Sequence, residues 1–319
     1  MDRHIVNTDR LNGIHGNNTL TSNAHPLVSI IVATYGRDIS LERALLSLLN
    51  QTYDFIEIIV VDDNADEVWN RKIKVIISDI MSKNNREITC IHNSTNKGSA
   101  ETRNIGIRAS SGAYVTFLDD DDIYLPRKVE NQLKYMLRNN SDYCVTDLNL
   151  YDESDRLIEK RSRKYIKQNN QSSLLMYHLM YHITGTDTMM FKRDYLVGIG
   201  GFPQIDVGDE FYLMQKSIEA GGRFSYLPEC DVKAYVHTTT LGLSSGDSKI
   251  EGENALYKHK KVYFNQLSYK NKKYIIMRHY AVLAFAEIRR KNYGKFLNYA
   301  VRSFLVSPIN CFRLLLQYN

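Results

Sequence analysis

Through its first half the chain alternates short apolar runs with stretches of helical period. Val28-Ser29-Ile30-Ile31-Val32-Ala33 is apolar and rich in β-branched residues, which predicts a buried strand. The turn Thr34-Tyr35-Gly36-Arg37 follows, and Leu41, Ala44, Leu45, Leu48 and Leu49 then recur at helical spacing. A second strand is expected over Ile56 to Val61, a helix over Trp69 to Met81 and a short strand over Ile88 to His92. Ser99 to Ala109 suits a helix with Ser99 as its N-cap. Tyr114 to Leu118 predicts a strand that runs straight into Asp119-Asp120-Asp121-Asp122. Pro126 fits the first turn of the next helix, whose Val129, Leu133, Met136 and Leu137 share a face. This alternation predicts an α/β fold with a Rossmann-like, mostly parallel central sheet and flanking helices. Ligands of such sheets bind at the carboxyl ends of the strands, which is where the polar clusters fall.

From about Asp142 to His237 the pattern mixes short strand and turn signals, and from about Gly252 to Asn319 it is helical, aromatic and basic. The expected division is a disordered tail over 1–25, an α/β domain over 26–250 and a helical C-terminal region over 251–319.

Composition narrows this little. The 319 residues, 43% hydrophobic and 24% charged, suit a globular chain with a large core. A net charge of +5 is too small to argue for nucleic-acid binding, and none is expected. The basic residues cluster late, in Lys160 to Lys167, Lys258 to Lys261 and Lys270 to Lys273. Cys90, Cys144, Cys230 and Cys311 are far apart and read as reduced core residues. No apolar run is long enough to cross a bilayer, and the first 25 residues lack the apolar core of a leader. The expected location is cytoplasmic, either free or peripheral on the inner face of the plasma membrane.

Five clusters carry candidate chemistry. Like charges about 4 Å apart cost roughly 4 kcal/mol per pair at an effective dielectric of 20, so Asp119 to Asp122 at a buried strand end call for a divalent cation with its preference for oxygen ligands. The alternative is a solvated turn capping the next helix. Asp62-Asp63 ends another strand and can serve either a nucleotide or a turn. Asn96-Lys97-Gly98-Ser99 opens a helix whose backbone N–H groups can face an anion, with Arg103 one turn on. Asp209-Glu210 starts another helix, where carboxylates either favour the helix dipole or act as general base. His237 can bind a metal or contact a phosphate, or be structural. The sequence has no GxGxxG after the first strand, no GxxxxGK[ST] loop, no GxSxG elbow and no zinc spacing.

Taken in order, these clusters resemble family 2 glycosyltransferases of the bacterial surface-polysaccharide type, whose catalytic domain has the GT-A fold. The matching pieces are Val28 to Tyr35, Ile58-Ile59-Val60-Val61-Asp62-Asp63, Asn96-Lys97-Gly98, Arg103-Asn104, Gly112-Ala113-Tyr114-Val115, Phe117 to Asp122, Gly200-Gly201-Phe202 and Gly208-Asp209-Glu210, spanning about residues 26 to 245. The resemblance implies that the 26–250 domain is catalytic and that Thr34, Tyr35, Asp62, Asp63, Arg103, Asn104, Asp119 and Asp120 form the nucleotide site. It implies that Asp121, with Asp119 and His237, binds a divalent cation, Mn²⁺ or Mg²⁺. The family's acidic pair is usually Glu-Asp; here it is Asp209-Glu210, so Glu210 takes the position of the catalytic base and Asp209 competes for it. The turn after Asp63 is Asn64-Ala65 where the family usually has Gly-Ser.

The activity implied is an inverting, metal-dependent transfer of a sugar from a nucleotide-diphosphate sugar, UDP-linked by family frequency, to a hydroxyl of a glycan or lipid-linked acceptor. In the C-terminal region, Ile276, Tyr280, Leu283 and Ala284 suit one helix face, and Phe296, Leu297, Phe304, Leu305, Phe312, Leu315 and Leu316 alternate with Lys295, Arg302 and Arg313. That region fits peripheral contact with an anionic membrane, a lid on the catalytic domain, or a homodimer contact. Two competing activities are a sugar nucleotidyltransferase, for which Thr34-Tyr35-Gly36-Arg37 is a poor loop, and a non-catalytic nucleotide-sugar or glycan-binding protein.

Overall fold

A computed structural model of the chain describes residues 25–84, 86–205, 208–236 and 246–317. Of the tail expected over 1–25, residues 1–24 lie outside the described residues, as does His237 with the segment to 245. The first half follows the sequence pattern: β1 (Val28–Thr34), α1 (Ile39–Leu49), β2 (Ile56–Asp62), α2 (Glu67–Ser82), β3 (Ile88–His92), α3 (Ser99–Ala109), β4 (Tyr114–Asp119), β5 (Ile123–Tyr124) and α4 (Lys128–Asn139). There follow β6 (Tyr143–Thr146), β7 (Leu148–Tyr151), β8 (Leu157–Arg161), α5 (Gln171–Tyr181), a 3₁₀ turn (Thr186–Thr188), β9 (Met189–Lys192), α6 (Arg193–Gly198), α7 (Asp209–Glu219), β10 (Phe224–Leu227) and β11 (Val232–Tyr235). The helices α8 (Gly246–Lys261), α9 (Tyr269–Arg289), α10 (Tyr293–Val306) and α11 (Pro308–Gln317) complete the described chain.

The main sheet has the order β10-β6-β9-β4-β1-β2-β3. All its pairings are parallel except those of β9, which runs antiparallel to β4 and β6. A smaller sheet, β5-β11-β7-β8, lies beside it. Strand alternation sends β1 side chains to two cores. Val28, Ile30 and Val32 join α1, α2 and α4 on one face, and Ile31 joins Val115 and Phe117 of β4 against residues of α3, α5, α6 and α7 on the other. At Gly106 a Cβ would collide with the Ile31 side chain, so glycine lets α3 settle directly on β1. A third cluster, with Leu179, Met180, Phe211, Leu267 and Ile275, joins the C-terminal helices to α5 and α7.

Several local expectations change. Gly98, at φ 79°, caps α3, and Ser99 is its first residue. Leu137 is 49% exposed, because α4 turns Val129, Leu133 and Met136 inward instead. The buried side of α9 is Ile275, Met277, Ala281, Leu283 and Ala284, with Ile276 and Tyr280 only half-buried. Of the four free cysteines only Cys144 is buried.

Candidate active site

The carboxyl ends of β1, β2 and β4 stand side by side because the strands are parallel and in register, with Thr34 opposite Asp62 and Ala33 opposite Asp119. The site is built on that edge. β9 adds a residue that the sequence alone did not point to. Asp187 lies in the 3₁₀ turn just ahead of β9, whose register with β4 pairs Thr116 with Met190. The backbone N–H of Asp119 donates to Asp187 Oδ1 at 2.7 Å. Asp122, from the same acidic run, accepts from the Tyr235 N–H at 2.8 Å, which ties it to the smaller sheet.

Asp119, Asp122 and Asp187 thus converge, with one oxygen from each lying within 4.8 Å of the others. Burial first, and then mutual repulsion, pushes Asp122 well above the usual carboxylate range and Asp187 up to about 7. Three crowded carboxylates, two of them buried, suit a divalent cation with oxygen ligands. A fully buried lysine stands next to β4. Lys128 donates to Thr116 Oγ1 at 2.6 Å and to the Tyr124 hydroxyl at 2.7 Å, and that hydroxyl lies against the carbonyls of Phe117 and Asp187.

The other members of the acidic run face Arg37, also not singled out from the sequence. Its Nη1 lies 2.7 Å from Asp121 and its Nε 3.3 Å from Asp120. Asp120 accepts from the Tyr35 N–H at 3.2 Å, and burial pushes it up to about 7. Asp119 and Asp121, both expected at the metal, therefore take different positions: Asp119 joins the convergent three and Asp121 meets Arg37.

Arg103 joins the two halves of the site. Its guanidinium meets Asp119 at 2.7 Å and Asp209 at 3.0 Å while sitting over the Phe202 ring at 5.5 Å. Asp209 is buried; it also accepts from Ser99 Oγ at 3.2 Å and from the Glu210 N–H at 3.0 Å. Glu210 is half-buried, and desolvation followed by its interaction with Asp209 raises it to about 8.

Other residues expected at the nucleotide form the frame. Asp62 is fully buried between His92 Nδ1 at 2.8 Å and the Asn64 side chain at 2.7 Å. Asp63 accepts from Asn93 and from the N–H groups of Lys97 and Gly98 at 2.8 to 2.9 Å. The loop amides expected to face an anion have found one inside the protein. Asn104 spends both ends of its amide on the Phe202 backbone, at 2.8 and 2.9 Å, beside Gly201 at φ 57°. Asn64, in the atypical turn, bridges to the Gly36 N–H at 2.6 Å, and Ala65 adopts φ 54°. Tyr35, 61% exposed, lines an open cleft with Gly36, Asn64, Asp66, Val68 and Trp69. Thr34, the residue before Tyr35, is buried.

The model of the family described as Glycosyl transferase family 2 matches residues 29–197. The chain belongs to this family. Its sequence relatives carry the name glycosyltransferase or glucosyltransferase. An uncharacterized glycosyltransferase of Haemophilus influenzae is 41% identical over 128 residues, 39% of this chain and 49% of the relative. The glucosyltransferase WfaP of Escherichia coli, named as acting from UDP-Glc on α-D-GlcNAc-diphosphoundecaprenol, is 36% identical over 41% of this chain and 49% of its own. The match thus spans about half the length of these relatives. The fold is GT-A. The mannosyltransferase PcManGT of Pyrobaculum calidifontis, solved with GDP-Man and Mn²⁺, aligns with TM-score 0.60 and 19% identity over 93% of this chain and 85% of that one. S. aureus TarS 1-349 with UDP-GlcNAc aligns with TM-score 0.57 and 16% identity over 88% and 91%.

Asp187→Asn removes one of three convergent carboxylates. Calorimetry with Mn²⁺ is expected to show affinity reduced by at least about tenfold, or ~1.4 kcal/mol; unchanged affinity would place the cation elsewhere.

Proposed function

We propose that the chain transfers a sugar from a UDP-sugar to a hydroxyl of a lipid-linked glycan, with inversion, in a single metal-dependent displacement during cell-surface polysaccharide synthesis. The observation that carries this reading is the Arg103 bridge, which sets the strand-end acids and the Asp209-Glu210 pair on either side of one guanidinium. The nucleotide lies over the ends of β1 and β2, against Thr34, Tyr35 and the cleft toward Trp69, with Asp62, Asp63 and Asn104 holding the walls. The names of WfaP and TarS's ligand support UDP, and WfaP's acceptor supports a diphosphate-linked lipid.

Asp119, Asp122 and Asp187 would hold a divalent cation, which when bound supplies positive charge to the departing diphosphate. Asp121 stands beside this group on Arg37. Glu210 takes the proton from the acceptor hydroxyl as its oxygen bonds to the anomeric carbon and the bond to the nucleoside diphosphate breaks, the diphosphate leaving with the electron pair. Asp209 is committed to Ser99, Arg103 and the Glu210 N–H, so it positions the base.

No described helix is long and apolar enough to cross a membrane. One face of α10 and the start of α11 nevertheless leave Leu297, Val301, Phe304, Leu305, Ile309 and Phe312 exposed. With Lys295, Arg302 and Arg313 nearby, this face suits peripheral contact with the anionic cytoplasmic leaflet where a lipid-linked acceptor resides.

Three measurements check the proposal. UDP binding by calorimetry is expected to need Mn²⁺ and to be lost in Asp122→Ala; equal binding without metal would remove metal dependence. Transfer should rise with pH toward an apparent value near 8, since Glu210 must lose its proton, and Glu210→Gln should lower kcat by about 10²–10⁴-fold; a flat profile with an active variant would reassign the base. Vesicles containing phosphatidylglycerol should sediment the wild type and not the folded variant Leu305→Glu/Phe312→Glu; equal sedimentation would exclude the α10–α11 face.

A further inference from the structure

A second charge field lies on the far side of the α7 N-terminus from Arg103. The His182 Nε2 meets Lys260 Nζ of α8 and lies 2.8 Å from Arg278 Nη1 of α9. Both cations donate to a single ring nitrogen, so that nitrogen carries the lone pair and the imidazole is neutral. Burial first, and then Arg278 and Lys260, holds His182 well below its usual range, with Lys249 adding to the same field. Lys260 is only 3% exposed, and burial followed by Arg278 lowers it to about 7. Among the described residues neither Lys260 nor Arg278 has a carboxylate at ion-pair distance. Glu253 acts on Lys260 only from a distance, and its carboxylate is bonded to His279 Nδ1 at 3.0 Å. Two neighbouring basic groups, one of them buried and neither with a counter-ion among the described residues, favour an anion that joins them.

Their place in the fold says which anion. Phe211 directly follows Glu210. Its ring packs 5.1 Å from His182 and 5.5 Å from Lys260 Nζ, and its carbonyl accepts from His178 Nε2 at 3.0 Å. His178 Nδ1 accepts the Ile183 N–H at 3.1 Å, which fixes that tautomer and the start of the loop leading to Asp187. The first turn of α7 therefore parts two fields: the acids of the donor side reach Asp209 through Arg103, and the cations stand behind Phe211.

We propose that Lys260 and Arg278, oriented by His182, bind the phosphate groups of the acceptor. This rests on the proposed function above, in which Glu210 receives the acceptor proton: an acceptor sugar lying on Glu210 places the diphosphate on its anomeric carbon one sugar ring away.

The test is calorimetry of inorganic pyrophosphate on the full chain in EDTA, where no metal can hold it on the donor acids. The wild type is expected to bind, Lys260→Met and Arg278→Met each to weaken binding at least about tenfold, and the charge-preserving Arg278→Lys to retain most of it. Absence of binding by the wild type, or equal binding by folded methionine variants, overturns the site. Farnesyl diphosphate against farnesol separates the sources: a preference for the diphosphate, lost in the variants, supports a lipid-borne group. If the variants instead lose Mn²⁺-dependent UDP binding by the same factor, the cations serve the donor and the acceptor assignment fails. A wild type that binds pyrophosphate in EDTA but never UDP with Mn²⁺ overturns the proposed function and leaves the anion site standing.

Discussion

The candidate site depends on one guanidinium. Arg103 holds Asp119 and Asp209, residues that belong to a strand end and a helix start 90 positions apart, and its own side chain is only 11% exposed. Its pair with Asp209 is buried on both sides, and removing one partner of such a pair typically costs about 3–5 kcal/mol, because the charge left behind has no water to turn to. Everything near it is arranged to keep it still. The Phe202 ring lies beneath it and meets Phe117 edge-on at 5.0 Å, while Asn104 clamps the Phe202 backbone from both sides. The glycines around Phe202 thus belong to the site even though they touch no substrate.

Much of the fold was readable from residue pattern. The β-branched runs at Val28, Ile56 and Tyr114 became adjacent parallel strands, and the acids that end them became neighbours, as a parallel sheet requires. What pattern could not give is the partner of Asp119. Asp187 lies in Thr-Gly-Thr-Asp-Thr, which looks like any polar turn, and its importance comes from the antiparallel entry of β9. Arg37 was passed over for a related reason: a basic residue in a turn has no signature until the acids across from it are known.

Charge in a sequence also hides its destination. Asp62, Asp63 and Asn104 have the chemistry of ligand contacts, and the structure spends them on internal hydrogen bonds. The late basic clusters look like a solvated surface, but Arg163 and Lys260 are buried within them. Arg163 donates to the Thr146 and Thr184 carbonyls and so steadies the approach to the Asp187 turn. Linear charge density reports neither depth nor pairing.

The antiparallel placement of β9 has one more consequence. Asp187 sits in the 3₁₀ turn that leads directly into β9, the antiparallel partner of β4, and its carboxylate is held by the Asp119 N–H. The chain between Asp119 and Asp187 carries Asp122 of the carboxylate group and β6, which pairs with β9, together with α4, most of the smaller sheet and α5. Its β7–β8 connection can be lengthened or shortened while β4, β6 and β9 keep their pairing. The architecture thus separates what must be constant, the charge geometry where β4 meets the turn before β9, from what can diversify, the connections between the outer strands.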